Sequence, residues 1–473
     1  MAGGRFDKYA GKTRPGTYIN FESGRDPAVL SAGARGTVII PLPKANYGPA
    51  KKFIKLTNAS PDTEAATFGY SIYDNDPNRQ MLLLREAFKR ATTVYVYILT
   101  EGEKASAEIE MTLPEQGQTS GGTSETGASG DTTNTLSATA KYGGSRGNQL
   151  AVTVDANPTG GYDVIIHLGG NKVVEYEGLT TVEELIALNN PYITFSGTGN
   201  LGEAAGTTLA SGTDETATNT DITDFIDAWE SVKFNTVCFP LDGEEITNVK
   251  QAALTKIKYM RDSMGKGVQV VMPNAPDMDY EGVINVTNSV SLDGDDLSVA
   301  EACAWVAGAT AGASNTESLT YNQYAGATAV VNPKSNEEAI AAINAGEFFF
   351  SVNENDEVVV EYDINSLVTF DDGKDESYRK NRVIRVYDTF QETVQLNFPP
   401  NKFDNEENGW NVMEGIGKTI LRQFYDSGAI TDVSYDEDFL VDREASEGDK
   451  TYFNVGLKAV DSAEKLYFTV KTR

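Results

Sequence analysis

Histidine occurs once in 473 residues, and that scarcity excludes more chemistry than any motif could. The residue is His167, which alternates with apolar neighbours in "YDVIIHLGG", the two-residue period of a β-strand. A Ser-His-Asp triad requires an imidazole at the reacting centre, and this one lies in a β-rich stretch far from the helix–strand region. Zinc sites need clusters of Cys and His, which the sequence does not contain. Cysteine is nearly as sparse. Cys238 and Cys303 sit in the apolar runs "NTVCFPL" and "AEACAWVAG", which read as buried free thiols rather than a disulfide or metal ligands. No run approaches the roughly 18 apolar residues of a membrane-spanning helix. The opening "MAGGRFDKYAGKTRPG" lacks the apolar centre of a secretory signal, so synthesis and folding in a cytoplasm are expected. Positive charge is also short, with 39 Lys and Arg against 69 Asp and Glu and a net charge of −30. Nucleic-acid binding, which needs a strong positive field, is disfavoured. The surplus acid is spread along the chain, as on a well-solvated outer surface.

Phosphate loops are missing too. No G-x-x-x-x-G-K-[ST] occurs, and "GTGNLG" (197–202) is followed by "EAAGTTLASGTDE", which has no apolar helical face. It reads as a turn. The acidic clusters "SLDGDDLS" and "FDDGKDES" depart from the order of a calcium loop and read as solvated turns. No catalytic, cofactor or metal residue emerges, and an enzyme is not expected.

What is present is a soluble globular composition, 40% hydrophobic and 10% aromatic, at a length that implies roughly two to four domains. The fold class is α/β multidomain. Residues 1–20 read as an N-terminal arm and 21–112 as a first α/β segment. A Gly/Ser/Thr-rich stretch at 113–134 reads as a flexible linker. Strand-like runs then make residues 135–212 an inserted β-module, whose end overlaps a second Gly/Thr-rich stretch at 197–220. From 213 to 350, helices alternate with near-continuous apolar strands, the pattern of a mostly parallel sheet covered by helices. Ser298 with Glu301 and Ser335 with Glu338 mark two helix starts as capping boxes. Residues 351–462 form an α+β C-terminal part, opening with a hairpin across "NEND". Within it, "YRKNRVIR" as a helix would place Arg379, Arg382 and Arg385 close to one face. That cluster either balances charge within the fold or meets an acidic partner.

Residues 463–473, "AEKLYFTVKTR", alternate Leu466, Phe468 and Val470 with Tyr467, Thr469 and Lys471. Such a strand must pair with something. On the residues alone it either closes a hairpin with "TYFNVGLKAV" across "VDSA", or joins another molecule.

Six stretches in register, "RPGTYINF", "KYGGSRGNQLAVTV", "LTYNQYAGA", "YDINSLVTF", "YRKNRVIRVYDTF" and "EKLYFTVKTR", resemble the contractile phage tail sheath proteins. The nearest group is the short sheaths of Gram-positive phages and of phage-like particles such as R-type bacteriocins. The resemblance implies an inserted β-sandwich, a subtilisin-like α/β layer without a protease triad, a tube-proximal C-terminal domain, and extended arms at both ends. It also implies a structural subunit that polymerises as stacked hexameric rings around a tail tube protein, meets baseplate and tail terminator proteins, and contracts without a nucleotide. No cofactor, nucleic acid or membrane insertion is implied; the location is a virion or particle tail assembled in the bacterial host cytoplasm. In such sheaths the arms lend strands to neighbouring subunits. Here Leu466, Phe468 and Val470 would face the acceptor's core, with Tyr18, Ile19 and Phe21 as the N-terminal counterpart. The resemblance turns the choice for the terminal strand towards the intermolecular pairing. Arg379, Arg382 and Arg385 become candidates for a tube or inter-subunit contact, and the acidic β-module is expected to project outward. A sheath of a related injection or secretion system is the alternative; a non-contractile surface or adhesion protein and a degenerate hydrolase fit less well.

Overall fold

A computed structural model describes residues 2–4, 16–18, 35–59, 66–113, 133–292 and 294–472. Contacts divide them into two compact units. The larger takes in the described residues between 35 and 391, with 425–433 and 457–472, and the smaller takes in 2–4, 16–18, 392–424 and 434–456.

The centre of the larger unit is a seven-stranded sheet. Its order is Glu347–Phe348, Val283–Val286, Gln269–Pro273, Thr236–Cys238, Thr37–Leu42, Thr93–Ile98 and Phe53–Thr57. Every neighbouring pair is parallel except the last, where Phe53–Thr57 runs antiparallel to Thr93–Ile98. A strand covered on both faces needs apolar side chains at odd and even positions alike, which is why "TVIIPL" reads as a continuous run. Val38, Ile40 and Leu42 enter one core, while Ile39 enters the other. The first core is closed by the helices Gln80–Phe88 and Val299–Gly312. The second is closed by Asn219–Ala228 and Thr247–Lys258. Helix Val299–Gly312 is apolar all round because it lies between the sheet and another helix. Its approach to Gln80–Phe88 depends on Gly308, where an added Cβ would stand 2.3 Å from the Ala87 carbonyl oxygen. Both expected capping boxes form, at Ser298 and at Ser335. The "NEND" hairpin also forms, pairing Phe350–Val352 with Val358–Val360.

Residues 106–112 and 133–208 build a β-sandwich. One sheet has the order Asn171–Leu179, Tyr162–Leu168, Leu150–Ala156, Ala204–Thr208, and the other Ile193–Ser196, Thr133–Ala140, Ser106–Thr112. Alternate side chains, among them Ile109, Leu136, Val152 and Ile166, fill the space between them. His167 is half-buried on the second of these strands, out of step with buried Val164, Ile166 and Leu168. The boundaries differ from the expected 113–134 linker and 135–212 module. Ser106–Thr112 pairs along its whole length with Thr133–Ala140, so the Gly/Ser/Thr-rich stretch connects two strands of one sheet. Composition identified a stretch unable to bury surface, but it carries no information about which partner the flanking strands choose. Likewise, Ala204–Thr208 within the second polar stretch pairs with Leu150–Ala156. "GTGNLG" is a loop between strands, accepting hydrogen bonds from the Asn134 amide at Thr198 O and Asn200 O (3.0 and 2.8 Å).

In the smaller unit, Phe398, Phe403, Phe439 and Phe453 pack ring against ring. They support an antiparallel hairpin of Phe439–Glu447 and Lys450–Val455. Gly417, on the helix Glu407–Asp426, leaves the room that Phe439 occupies; a Cβ there would lie 2.1 Å from its ring. The strand Phe439–Glu447 was not expected, because "FLVDREASE" turns acid-rich after its first apolar residues.

Candidate functional site

Four sequence stretches far apart in the chain meet in the larger unit, around the side chain of Glu464. The deepest layer is a buried ion pair. Asp363 and Arg385 are 1% and 0% exposed, with Arg385 Nη2 donating to Asp363 Oδ2 at 2.8 Å. The same carboxylate accepts from the Leu319 N–H (2.9 Å) and from Asn381 Nδ2 (3.0 Å). Arg385 Nη2 also donates to the Glu317 carbonyl at 2.6 Å. A buried charge persists only when its partners are supplied in this way.

The next layer carries the arrangement outward. The Asp363 N–H donates to Thr320 Oγ1 (3.0 Å), and that hydroxyl donates to Glu464 Oε1 (2.7 Å). Ser318 Oγ donates to the same carboxylate oxygen at 3.0 Å. Lys380 Nζ binds the other oxygen, Oε2, and lies 4.1 Å from the centre of the Tyr362 ring. Burial works against the Lys380 charge, but hydrogen bonds to Glu464 and Tyr362 outweigh it and raise the ammonium above its ordinary value. Arg382 Nη1 donates to Ser462 Oγ at 2.7 Å. Just upstream, Lys458–Ala459 pairs antiparallel with Ile430–Thr431, and the Val460 N–H donates to the Ala429 carbonyl. The chain from Lys458 to Glu464 is therefore tied to its own subunit.

Just beyond Glu464, Lys465 Nζ still lies 5.9 Å from the centre of the Tyr362 ring. Leu466, Tyr467, Phe468 and Val470 are 67%, 90%, 83% and 82% exposed. Among the described residues, no strand follows Ala459. The hairpin of this segment with "TYFNVGLKAV" is not formed, since Lys450–Val455 pairs with Phe439–Glu447 instead. An extended stretch with alternating apolar side chains in water and an unpaired backbone is a strand without a sheet.

Of the three candidate arginines, Arg385 needs a correction. Of the two readings, charge balance within the fold or a partner contact, it takes the first: it is sealed inside, neutralised by Asp363. The expected single helix is also interrupted. Arg379 ends the 3₁₀ turn Glu376–Arg379, Lys380 is extended, and the α-helix begins at Asn381 and runs to Asn397. Arg379 and Arg382 are half-buried, and burial lowers both guanidinium pKa values. At the other end, Tyr18 closes the strand Gly16–Tyr18, which pairs in parallel with Ala2–Gly4. Ile19 and Phe21 lie outside the described residues. Glu464, Thr320 and Asp363 were not singled out from the sequence, although each lies in one of the stretches that carried the family resemblance.

Matching domain models run consecutively along the chain. They are the tail sheath protein Gp18 domain III N-terminal region (35–99), the phage tail sheath protein beta-sandwich domain (100–214), the central domain (215–366) and the C-terminal domain (373–473). The phage-like element PBSX protein XkdK of Bacillus subtilis is 34% identical over 503 residues, covering 100% of both chains. The chain belongs to the phage tail sheath family. The sheath tail protein of Desulfitobacterium hafniense superposes with a TM-score of 0.77 at 35% identity, over 96% of this chain and 99% of that one. The helical sheath of the anti-feeding prophage, in its contracted state, shares the fold at 14% identity, with a TM-score of 0.55 over 98% of this chain and 100% of its own. This sheath protein is a structural subunit of a contractile tail, and its place is the tail of a phage or phage-like particle.

Proposed function

We propose that the subunit polymerises as stacked hexameric rings around a tail tube, and that its terminal arms hold the rings together by lending strands to neighbours. The observation that carries this reading is the exposed, alternating segment Leu466–Val470 leaving a root tied down by Glu464. In β-strand addition the backbone supplies the hydrogen bonds and alternate side chains supply the fit. Leu466, Phe468 and Val470 would enter the acceptor's core, and Tyr18, Ile19 and Phe21 would act in the same way from the N-terminal arm. Arg379 and Arg382, half-buried near the arm's root, remain candidates for an inter-subunit or tube contact.

Contraction in this reading draws on two packings of the same subunits that differ by a few kcal/mol each. The tied root and the lent strand keep the mesh connected while the domains between them slide. The parallel sheet corresponds to the subtilisin-like layer of sheaths, used as a scaffold and not as an enzyme. The β-sandwich would project outward; baseplate and terminator proteins would cap the polymer, and assembly would take place in the bacterial host cytoplasm. A related injection-system sheath would use the same geometry.

The test compares the full chain with one ending at Ser462, each expressed with the cognate tube protein and imaged by negative-stain electron microscopy. Sleeves from the full chain and none from the shortened one are expected. Equal sleeves from both would remove the strand-lending reading.

A further inference from the structure

The two tyrosines of "LTYNQYAGA" meet opposite fates. Tyr324 is fully buried, stacked on Trp305 at 4.4 Å between ring centres, with its hydroxyl donating to Glu86 at 2.8 Å. Tyr321 is 56% exposed, and neither its ring nor its hydroxyl has a hydrogen bond or ring contact among the described residues. Its backbone is costly to hold. The φ of +60° lies in the left-handed region, where an L-residue brings its Cβ against a carbonyl oxygen. Most of the other non-glycine residues with positive φ are Asn or Asp, which tolerate it. Lys51 and Arg79 share the conformation, but their side chains bind Asp221 and Glu301. Tyr321 is fixed by its neighbours: its N–H donates to the Val360 carbonyl (2.8 Å), and the Val360 N–H donates to the Asn322 carbonyl (3.0 Å). No side-chain contact inside the subunit offsets that strain.

The surroundings of the ring are acidic. The hairpin Phe350–Val352/Val358–Val360 carries Glu354, Asp356 and Glu357 at its turn and Glu361 just after it, with no Lys or Arg from 348 to 361. Among the described residues none of these four carboxylates forms an ion pair. Glu361 accepts from Ser351 Oγ and Glu357 from Asn353 Nδ2, both neutral donors. Burial, then the charges of Glu361 and Glu354, raise the Tyr321 phenol above its ordinary value, so both carboxylates stand near the ring. An exposed aromatic face beside unneutralised carboxylates attracts an ammonium or guanidinium group through the ring and the anions together.

We propose that Tyr321, Glu354 and Glu361 form a docking site for a lysine or arginine side chain of a second copy of this chain. The inference rests on the polymer reading above, and not on which sheet the terminal arms join. Charge argues for the second copy. Subunits of net charge −30 repel one another in most orientations. A contact that sets a cation of one copy against this hairpin of the next favours one orientation and penalises the others. The backbone strain at Tyr321 is offset by that contact instead of within the subunit, which accounts for a bulky ring held outward where Asn or Gly would sit at less cost.

The experiment follows assembly of full-length subunits on purified tubes by light scattering, beside thermal unfolding of the unassembled chains. Asn accepts the left-handed conformation, so Tyr321→Asn should unfold at the parental midpoint or above it. The same variant should need about tenfold more subunit for half-assembly. Tyr321→Phe keeps the ring and should assemble within about twofold of the parent. Glu354→Lys, at an exposed position, should keep the midpoint and impair assembly, most strongly at low salt. Cross-linking identifies the partner. A benzophenone maleimide on Tyr321→Cys is selective, because Cys238 and Cys303 are buried. Doped into unlabelled subunits and irradiated in sleeves, it should give dimers of this chain. Adducts with the tube protein, or none, would overturn the assignment to a second copy. A lowered midpoint for Tyr321→Asn would place the ring's role within the subunit and overturn the site. So would parental assembly of both Tyr321→Asn and Glu354→Lys, which would leave the polymer standing. A parent that forms no sleeves on tubes would overturn the polymer and this inference with it.

Discussion

Replacing Asp363 with alanine tests the buried ion pair at the base of the arm's root. The carboxylate is 1% exposed and, among the described residues, is the anion bonded to Arg385, which is itself fully buried. Removing it leaves a guanidinium in the interior without a counter-charge, a loss of about 3–5 kcal/mol. It also takes the acceptor from the Leu319 N–H and from Asn381 Nδ2, at about 1–3 kcal/mol for a buried group left unpaired. These costs overlap, because the cavity can admit water and the donors can relax. A net loss of about 4 kcal/mol is expected, which lowers the midpoint of a domain of this size by roughly 10 °C. The assay is thermal unfolding of unassembled subunits followed by circular dichroism. Adding Arg385→Met should recover part of the loss, since it removes the orphaned cation. A midpoint for Asp363→Ala within about 2 °C of the parent would refute the reasoning.

Glu464→Ala removes the acceptor of Ser318, Thr320 and Lys380 at a side chain only 9% exposed and leaves the Lys380 ammonium with Asp461 at 3.8 Å; the unfolding midpoint should fall, by less than for Asp363→Ala, while sleeves counted in micrographs fall sharply. Gly308→Ala places a methyl group 2.3 Å from the Ala87 carbonyl oxygen, backbone against backbone, so stability should drop by about 1–3 kcal/mol in denaturant titration. Asp221 caps its helix and binds Lys51. Burial would raise its pKa, but hydrogen bonds from Lys51 and Thr218 bring it down to about 2. A depressed carboxylate stabilises the fold above its unfolded value, near 4, and loses that contribution as pH falls through about 2. Asp221→Asn should therefore lower the midpoint at pH 7 and match the parent near pH 2.

Much of the larger unit could be read from the sequence because its elements announce themselves locally. Runs such as "TVIIPL" and "GVQVVMP" are apolar on both faces, and Ser298 and Ser335 carry their capping glutamates three residues on. The strand Phe439–Glu447 was hidden because its outer positions are acidic, and only Phe439 and Val441 near its start reach the core alongside Ser446. The sandwich boundary was hidden for another reason. Strand partners across residues 113–132 are chosen by long-range pairing, which local composition does not encode. Arg385 shows the limit for charged residues: by type it belongs on a surface, and only Asp363, 22 residues earlier and adjacent in space, makes its burial tolerable. The alternation of Leu466, Phe468 and Val470 was legible. The root that ties the segment down was not, since Ser318, Thr320, Lys380 and Glu464 come together only in the folded chain.

The most direct test of the central claim is a helical reconstruction of the assembled sheath by electron cryomicroscopy, at a resolution that traces residues 457–473. The account predicts that Glu464 stays with Ser318, Thr320 and Lys380 of its own subunit, while Leu466–Val470 forms a strand in a sheet of a neighbour. A terminal segment folded back onto its own subunit would contradict it.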